Sequence, residues 1–313
     1  MLKFMIAVLT VALAAVSVLG QTQSAPTLRI VTEDPTLPSD LFYGNTKVKP
    51  LRLRPGTNQP ITIDDSDFFV SQQYVDFLNR FPDASGLSYW TNELNKCAST
   101  DAACLNLRRV GVSAAFVVEQ EFQQTGSFVY RLYKGGLNRV PVYSEFMPDR
   151  RQVVGGANLD QSKVAFADAF VQRPEFIQSY QSATTAASFV DALTATLKTA
   201  TGVDIAGQRS ALITLYGTGG SMAQSRSLVL REAIENAAFK QSVYYPSFVL
   251  MQYYGYLRRD PDAGGYAFWL DVVTNKEPGN FRGMVCSFIT SREYQERFGT
   301  TVTHTNRDCA NIH

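Results

Sequence analysis

Histidine is almost missing from this chain of 313 residues: His304 and His313 are the only two, both near the C-terminus. That scarcity works against chemistry built on imidazole, whether a metal cluster or a nucleophile with its base. An excess of charge is missing too. The 29 Lys and Arg offset 28 Asp and Glu, for a net charge of +1. No global field therefore calls for nucleic acid or a strongly acidic partner. No glycine-rich stretch ends in Gly-Lys-Ser/Thr, so no phosphate loop is written. Beyond the first twenty residues no apolar run is long enough to cross a bilayer.

What is present is the composition of a protein with real cores: 45% hydrophobic and 18% charged residues, with 20 Phe and 15 Tyr. The chain opens on Lys3, an apolar run from about Phe4 to Leu19, and small residues at Val18 and Gly20. That order predicts a signal peptide over 1–20, cut after Gly20, and a secreted product without a membrane span. Four cysteines suit an oxidising compartment. Local pairing, Cys97 with Cys104 and Cys286 with Cys309, is the most economical of three connectivities, and each bridge would contribute about 2–3 kcal/mol. The spacing of Cys286, His304 and Cys309 matches no common zinc pattern.

Residues 21–66 are rich in Pro, Thr and Asn and show no sustained period. They are expected to form an extended linker or arm, with a solvated basic cluster around Lys47 to Arg54. From Phe69 the pattern turns helical. "FVSQQYVDFLNRFPDASGLSYW" begins at Phe69, and "FVLMQYYGYLRRDPDAGGYAFW" begins at Phe248; half of their positions are identical without a gap. In the first, Tyr74, Phe77 and Leu78 mark one helix face. Pro82 stops that helix, Asp83 is placed to cap the next, and Leu87, Trp90 and Leu94 mark its apolar face. The second copy repeats this with Arg259, Pro261, Asp262, Tyr266 and Trp269. Gly86 and Gly265 match inside the second helix, where glycine is costly unless packing requires it.

Phe-Val pairs open segments at Phe69, Phe128, Phe189 and Phe248, about 60 residues apart. Closing segments end at Phe122, Phe176, Phe239 and Tyr294. The chain is thus expected to be all-α: four units of about three helices each, over 67–126, 127–184, 185–244 and 245–300, with a tail over 301–313. They would stack as a solenoid or pack as a bundle. The outer units keep the Pro-Asp turn. In the second, "YRLYKGGLNRVPVYSEF" is expected to replace it with a longer loop.

These segments, with "VSAAFVVEQEF" and "FITSREY", resemble a bacterial family called domain of unknown function 4214, in secreted proteins of acidobacterial type. The likeness runs from about Asp65 to Gly299. It implies an extracellular or cell-surface setting and no established activity. The linker domains of phycobilisomes carry a loosely similar turn, which points to a helical protein-binding module.

Candidate chemistry is sparse. Ser221 in "GTGGSMA" faintly echoes a nucleophile elbow, but "ALITLY" before it reads helical and His304 falls in the tail. Asp260, Asp262 and Asp271 sit roughly at calcium-loop positions, yet Phe81 replaces Asp260 in the first copy. Asp64, Asp65 and Asp67 precede a helix, where acids complement its dipole. The marked positions are Arg80, Pro82, Asp83, Gly86 and Trp90, with Arg259, Pro261, Asp262, Gly265 and Trp269. They form a structural turn first and a shared ligand site second, with the two Trp side chains as core anchors. The expected function is a non-catalytic binding or structural module in the periplasm or at the cell surface. Its partner would be an extracellular protein or envelope polymer, and no cofactor is expected. A carboxylate-dependent hydrolase of envelope glycans is the alternative, and a calcium-dependent adhesin is third.

Overall fold

The computed structural model describes the backbone of residues 28–31, 40–43 and 46–48, and residues 61–313 apart from 119, 300, 311 and 313. The expected signal peptide, most of the basic cluster and His313 lie outside the described residues. The stretch expected to be an extended arm instead contains an antiparallel meander. Its strands are β1 (Leu28–Val31), β2 (Asp40–Tyr43) and β3 (Thr46–Val48). Leu28 faces Tyr43, and Leu41 faces Val48. Strands of three or four residues are too short for alternation to announce them. Gly44-Asn45 between β2 and β3 is a hairpin signal that the composition of the stretch hides.

From residue 61 the described chain is helical. Helix α1 (Ser66–Gln73) continues as a π-helical stretch over Tyr74–Leu78. Then come α2 (Ala84–Leu94), α3 (Ala102–Val118) and the short α4 (Gln120–Gln124). Helices α5 (Gly126–Leu137), α6 (Tyr143–Arg150), α7 (Leu159–Phe170) and α8 (Pro174–Ser179) follow. After them lie α9 (Ala186–Thr201), α10 (Arg209–Tyr216) and α11 (Met222–Ile234). Helix α12 (Ala237–Gln252) runs into a second π-helical stretch over Tyr253–Leu257. The body closes with α13 (Ala263–Asp271), α14 (Phe281–Ile289) and α15 (Arg292–Gln295).

Two expectations need adjusting. The closing segments expected to end at Phe176, Phe239 and Tyr294 do not end helices there. Each of these three is the third residue of a new helix, and they and Phe122 are buried. The boundary expected at 244/245 falls inside α12, which passes through Pro246. Proline removes one helix hydrogen bond; separately, Tyr266 packs on this stretch and donates its hydroxyl to the Pro246 carbonyl at 3.1 Å.

The packing is a compact bundle. Helix α5 lies against α9, α11 and α12, and α3 near the start packs on α14 near the end. The π-helical stretches after α1 and α12 meet, with Phe77 edge-on to Tyr256 at 4.8 Å. Gly255 is required there, because a Cβ would stand 2.5 Å from the Phe77 ring. A buried polar chain runs alongside: Ser113 Oγ bonds Gln73 at 2.6 Å and the Tyr256 hydroxyl at 2.5 Å, and Gln73 reaches Tyr294. Burial pushes the Tyr256 phenol well above its ordinary range.

At the same junction Asp76 is 1% exposed and faces two arginines. Arg297 grips it with both Nη atoms, at 3.0 and 2.8 Å, and Arg258 approaches at 3.2 Å. Removing one partner of a buried ion pair strands the other, at about 3–5 kcal/mol. Asp76→Ala is therefore expected to lower unfolding free energy by about that much in urea titration. A loss under about 1 kcal/mol, the range of a solvent-exposed pair, would show that the junction does not depend on this carboxylate.

Candidate functional site

The predicted turn residues come together, and their polar groups are engaged within the protein. The first π-helical stretch ends on Asn79, which is left-handed at φ 56°, a conformation asparagine tolerates. Arg80 then folds back over the Tyr74 ring, 4.9 Å from its centroid. It forms a two-pronged pair with Glu121 at 2.8 and 2.9 Å. The Glu121 hydrogen bond raises the Arg80 pKa. Past Pro82, Asp83 accepts from the Gly86 amide at 2.8 Å and caps α2. A Cβ on Gly86 would stand 2.2 Å from the Tyr74 hydroxyl oxygen. Trp90 hydrogen-bonds that hydroxyl and packs on Phe116 at 5.4 Å.

The second copy matches residue for residue. Arg258 is left-handed at φ 55°. Arg259 lies over Tyr253 and pairs with Glu293 at 2.6 and 3.0 Å. Asp262, after Pro261, caps α13 through the Gly265 amide at 2.7 Å. A Cβ on Gly265 would meet the Tyr253 hydroxyl at 2.4 Å, and Trp269 packs near Phe288 at 5.9 Å.

A third such turn stands where a longer loop was expected. Asn138 is left-handed at φ 52°. Arg139 covers Tyr133 at 4.8 Å, and Pro141 follows at the same spacing as Pro82 and Pro261. Arg139 grips Glu175 at 2.7 and 2.6 Å and Glu145 at 2.8 and 2.9 Å. Glu145 occupies the position of Gly86, and its carboxylate takes the Val142 amide at 3.0 Å, closing the cap without an Asp. Asp149 occupies the position of Trp90. It accepts from the Tyr133 hydroxyl at 2.7 Å and holds Arg173. At a fourth left-handed residue, Gly202, the clamp is missing. Leu197, Val203 and Ala238 stand where the others have Tyr, Arg and Glu.

The loop that invited a calcium reading binds its own protein. Asp260 accepts from the Tyr143 amide at 2.7 Å, Asp262 caps α13, and Asp271 pairs with Lys276 at 3.0 Å. Among the described residues no group of three His, Cys, Asp or Glu could hold a metal ion. Ser221 caps α11, accepting from Gln224 at 3.2 Å, and α10 precedes it instead of a strand. Both expected disulfides are formed, Cys97–Cys104 and Cys286–Cys309, each with Cα atoms 5.8 Å apart.

Two grooves were not marked by sequence. One, about 510 Å³, lies where the tail crosses the start of α1. His304 is held there: Nε2 meets Asp64 at 2.8 Å and Nδ1 meets Asp308 at 3.4 Å. With both ring nitrogens on carboxylates, neither is left for a nucleophile. Asp64 also pairs with buried Arg109 at 3.1 Å and accepts from Thr303 at 2.8 Å. Asp64 thus tethers the tail, beyond the expected dipole role.

The second groove runs between α2, α3 and α14. Tyr89, Trp90, Leu107, Arg108 and Arg282 line one part, about 450 Å³. Gly111 and Arg282 are shared with an adjoining part of about 430 Å³, floored by Ala114 and Ala115. Tyr89 is 58% exposed and stands edge-on to Trp90 at 4.9 Å. Glu93 is engaged by Arg108 at 3.2 Å and by Lys96. Tyr89 carried no sequence signal, because period counts apolar positions and this one faces outward.

Two outcomes follow from these contacts. Gly86→Ala would ordinarily favour a helix by about 1 kcal/mol; here it is expected to destabilise by about 1–3 kcal/mol through overpacking. Adding Tyr74→Phe should recover most of that in a double-mutant cycle; additive losses would count against the contact. Burial opposes charge on Asp64, but the bonds from His304, Arg109 and Thr303 outweigh it and lower its pKa from 3.8 to about 2. The folded value is the depressed one, so this stabilisation is present above about pH 4 and lost as pH falls towards 2. The side chain is 37% exposed, which limits the effect to about 1 kcal/mol. Asp64→Asn should remove that acid limb from a stability profile recorded between pH 5 and about pH 2; an unchanged limb would refute the assignment.

Comparison with protein families, curated proteins and solved structures gives no match.

Proposed function

We propose that this chain is a secreted, non-catalytic binding module that holds an envelope polysaccharide in the groove between α2, α3 and α14. The carrying observation is Tyr89. Its ring is exposed, yet it leans on Trp90, which is anchored by Phe116 and by its bond to Tyr74. A rigid aromatic above a shallow trough floored by Gly111, Ala114 and Ala115 suits an extended sugar chain. Secretion is supported by the N-terminal pattern and the two disulfides. Among the described residues no helix is long and apolar enough to cross a membrane.

The body is read as four related units, and the turn residues as their joints. Support comes from the Tyr–Arg–Glu clamps of three units and from the joint replacement of all three residues in the fourth. Membership of the domain of unknown function 4214 family is part of the same proposal, resting on the motifs quoted above. The hydrolase alternative would need a carboxylate free to exchange a proton. Glu121 and Asp64 are instead each engaged by a cation.

Binding to soluble polysaccharides, read by calorimetry, tests this. Tyr89→Ala is expected to weaken binding at least about tenfold, as loss of a stacked ring of about 1.4 kcal/mol would, with an unchanged melting temperature. Equal binding by the variant, or none by the parent protein, would overturn the proposal.

A further inference from the structure

Resting on that reading, we infer that the groove selects a carboxylated polysaccharide, a chain bearing uronic acid residues, and that Arg282 determines the choice. Arg282 is exposed and lies at the point shared by both parts of the groove. Among the described residues nothing pairs with it, whereas most arginines here are engaged. Arg80, Arg139, Arg173, Arg209 and Arg259 each grip a carboxylate with two nitrogens.

The local balance of charge points the same way. Glu93 is the acid lining this groove, and Arg108 and Lys96 share it. Adding Arg282 leaves an excess of positive charge facing the trough. A planar guanidinium offers two parallel donors that match a carboxylate, which an uncharged sugar does not reproduce. Tyr89 would carry the ring face of a sugar while Arg282 takes the acid of a neighbouring residue along the chain. Leu107, 51% exposed beside Arg108, covers the apolar edge. The division of labour is physical: stacking is indifferent to charge, and the fork is not.

The test uses the full mature protein with oligogalacturonate, alginate and hyaluronan, each beside its carboxyl-reduced, uncharged counterpart. The parent protein is expected to bind at least one acidic chain about tenfold or more tighter than its reduced form, with the preference weakening as salt rises. Arg282→Gln should abolish the preference and keep the affinity for the reduced chain. Tyr89→Ala should weaken both forms alike. Equal binding of acidic and reduced chains by the parent, with Tyr89→Ala still harmful, would overturn the role of Arg282 and leave the polysaccharide reading standing. Retention of the preference by Arg282→Gln would do the same. Binding of none of the six probes would overturn both.

Discussion

At the centre of the molecule one carboxylate, Asp76, lies between Arg297 and Arg258 and joins the first helical stretch to the last. Its surroundings depend on a detail of backbone geometry. The π-helical stretches after α1 and α12 end on left-handed residues, so their last carbonyls lose helical partners. Arginines from elsewhere supply the missing donors. Arg150 donates to the carbonyls of Val75 and Asp76, and Arg297 donates to those of Gly255 and Tyr256. Arg226 does the same for Tyr180 and Ala183. A net charge near zero therefore conceals cations committed to the interior, where each one must stay paired.

The Tyr–Arg–Glu clamps work at the next level out. In each, the Arg is fixed by an aromatic face on one side and a carboxylate on the other, which sets the angle between a helix and the one that follows. The three members depend on one another. Without the Glu the Arg loses its charge partner, and without the Tyr it loses its seat. Their joint absence at Leu197, Val203 and Ala238 agrees with that dependence. Gly202 still takes the left-handed turn there, with Lys198 and Asp204 paired at the surface.

Much of this was legible in the chain. Pro82 with Asp83, and Pro261 with Asp262, announced a stop and a cap because those effects are local. The glycines at 86 and 265 announced a close approach, although not that a tyrosine hydroxyl makes it. Cysteine spacing gave the right pairs. What escaped was whatever depends on distant partners. The Arg139 turn was hidden because Glu145 and Asp149 replace Gly and Trp by a different chemistry that meets the same need. The constant part, Arg six residues after Tyr with Glu just before a buried aromatic, was there to be found. The π-helical stretches carry no residue signature, and His304 looked like tail because its partner lies 240 residues earlier. The aromatic groove escaped because exposure leaves no period.

The bond between His304 and Asp64 also fixes where the helical body begins and ends: at the same spot. A pull from the N-terminal side meets Asp64 and its bonds to Thr303 and His304 directly, whereas a pull from the C-terminal side reaches Cys309 before it reaches His304. The Cys286–Cys309 bridge passes that C-terminal load to α14 covalently and shields the contacts of His304 from it. A body so arranged can be spliced into a longer chain with little separation between entry and exit. It can also be pulled from both sides while its groove, on α2, α3 and α14, keeps its shape.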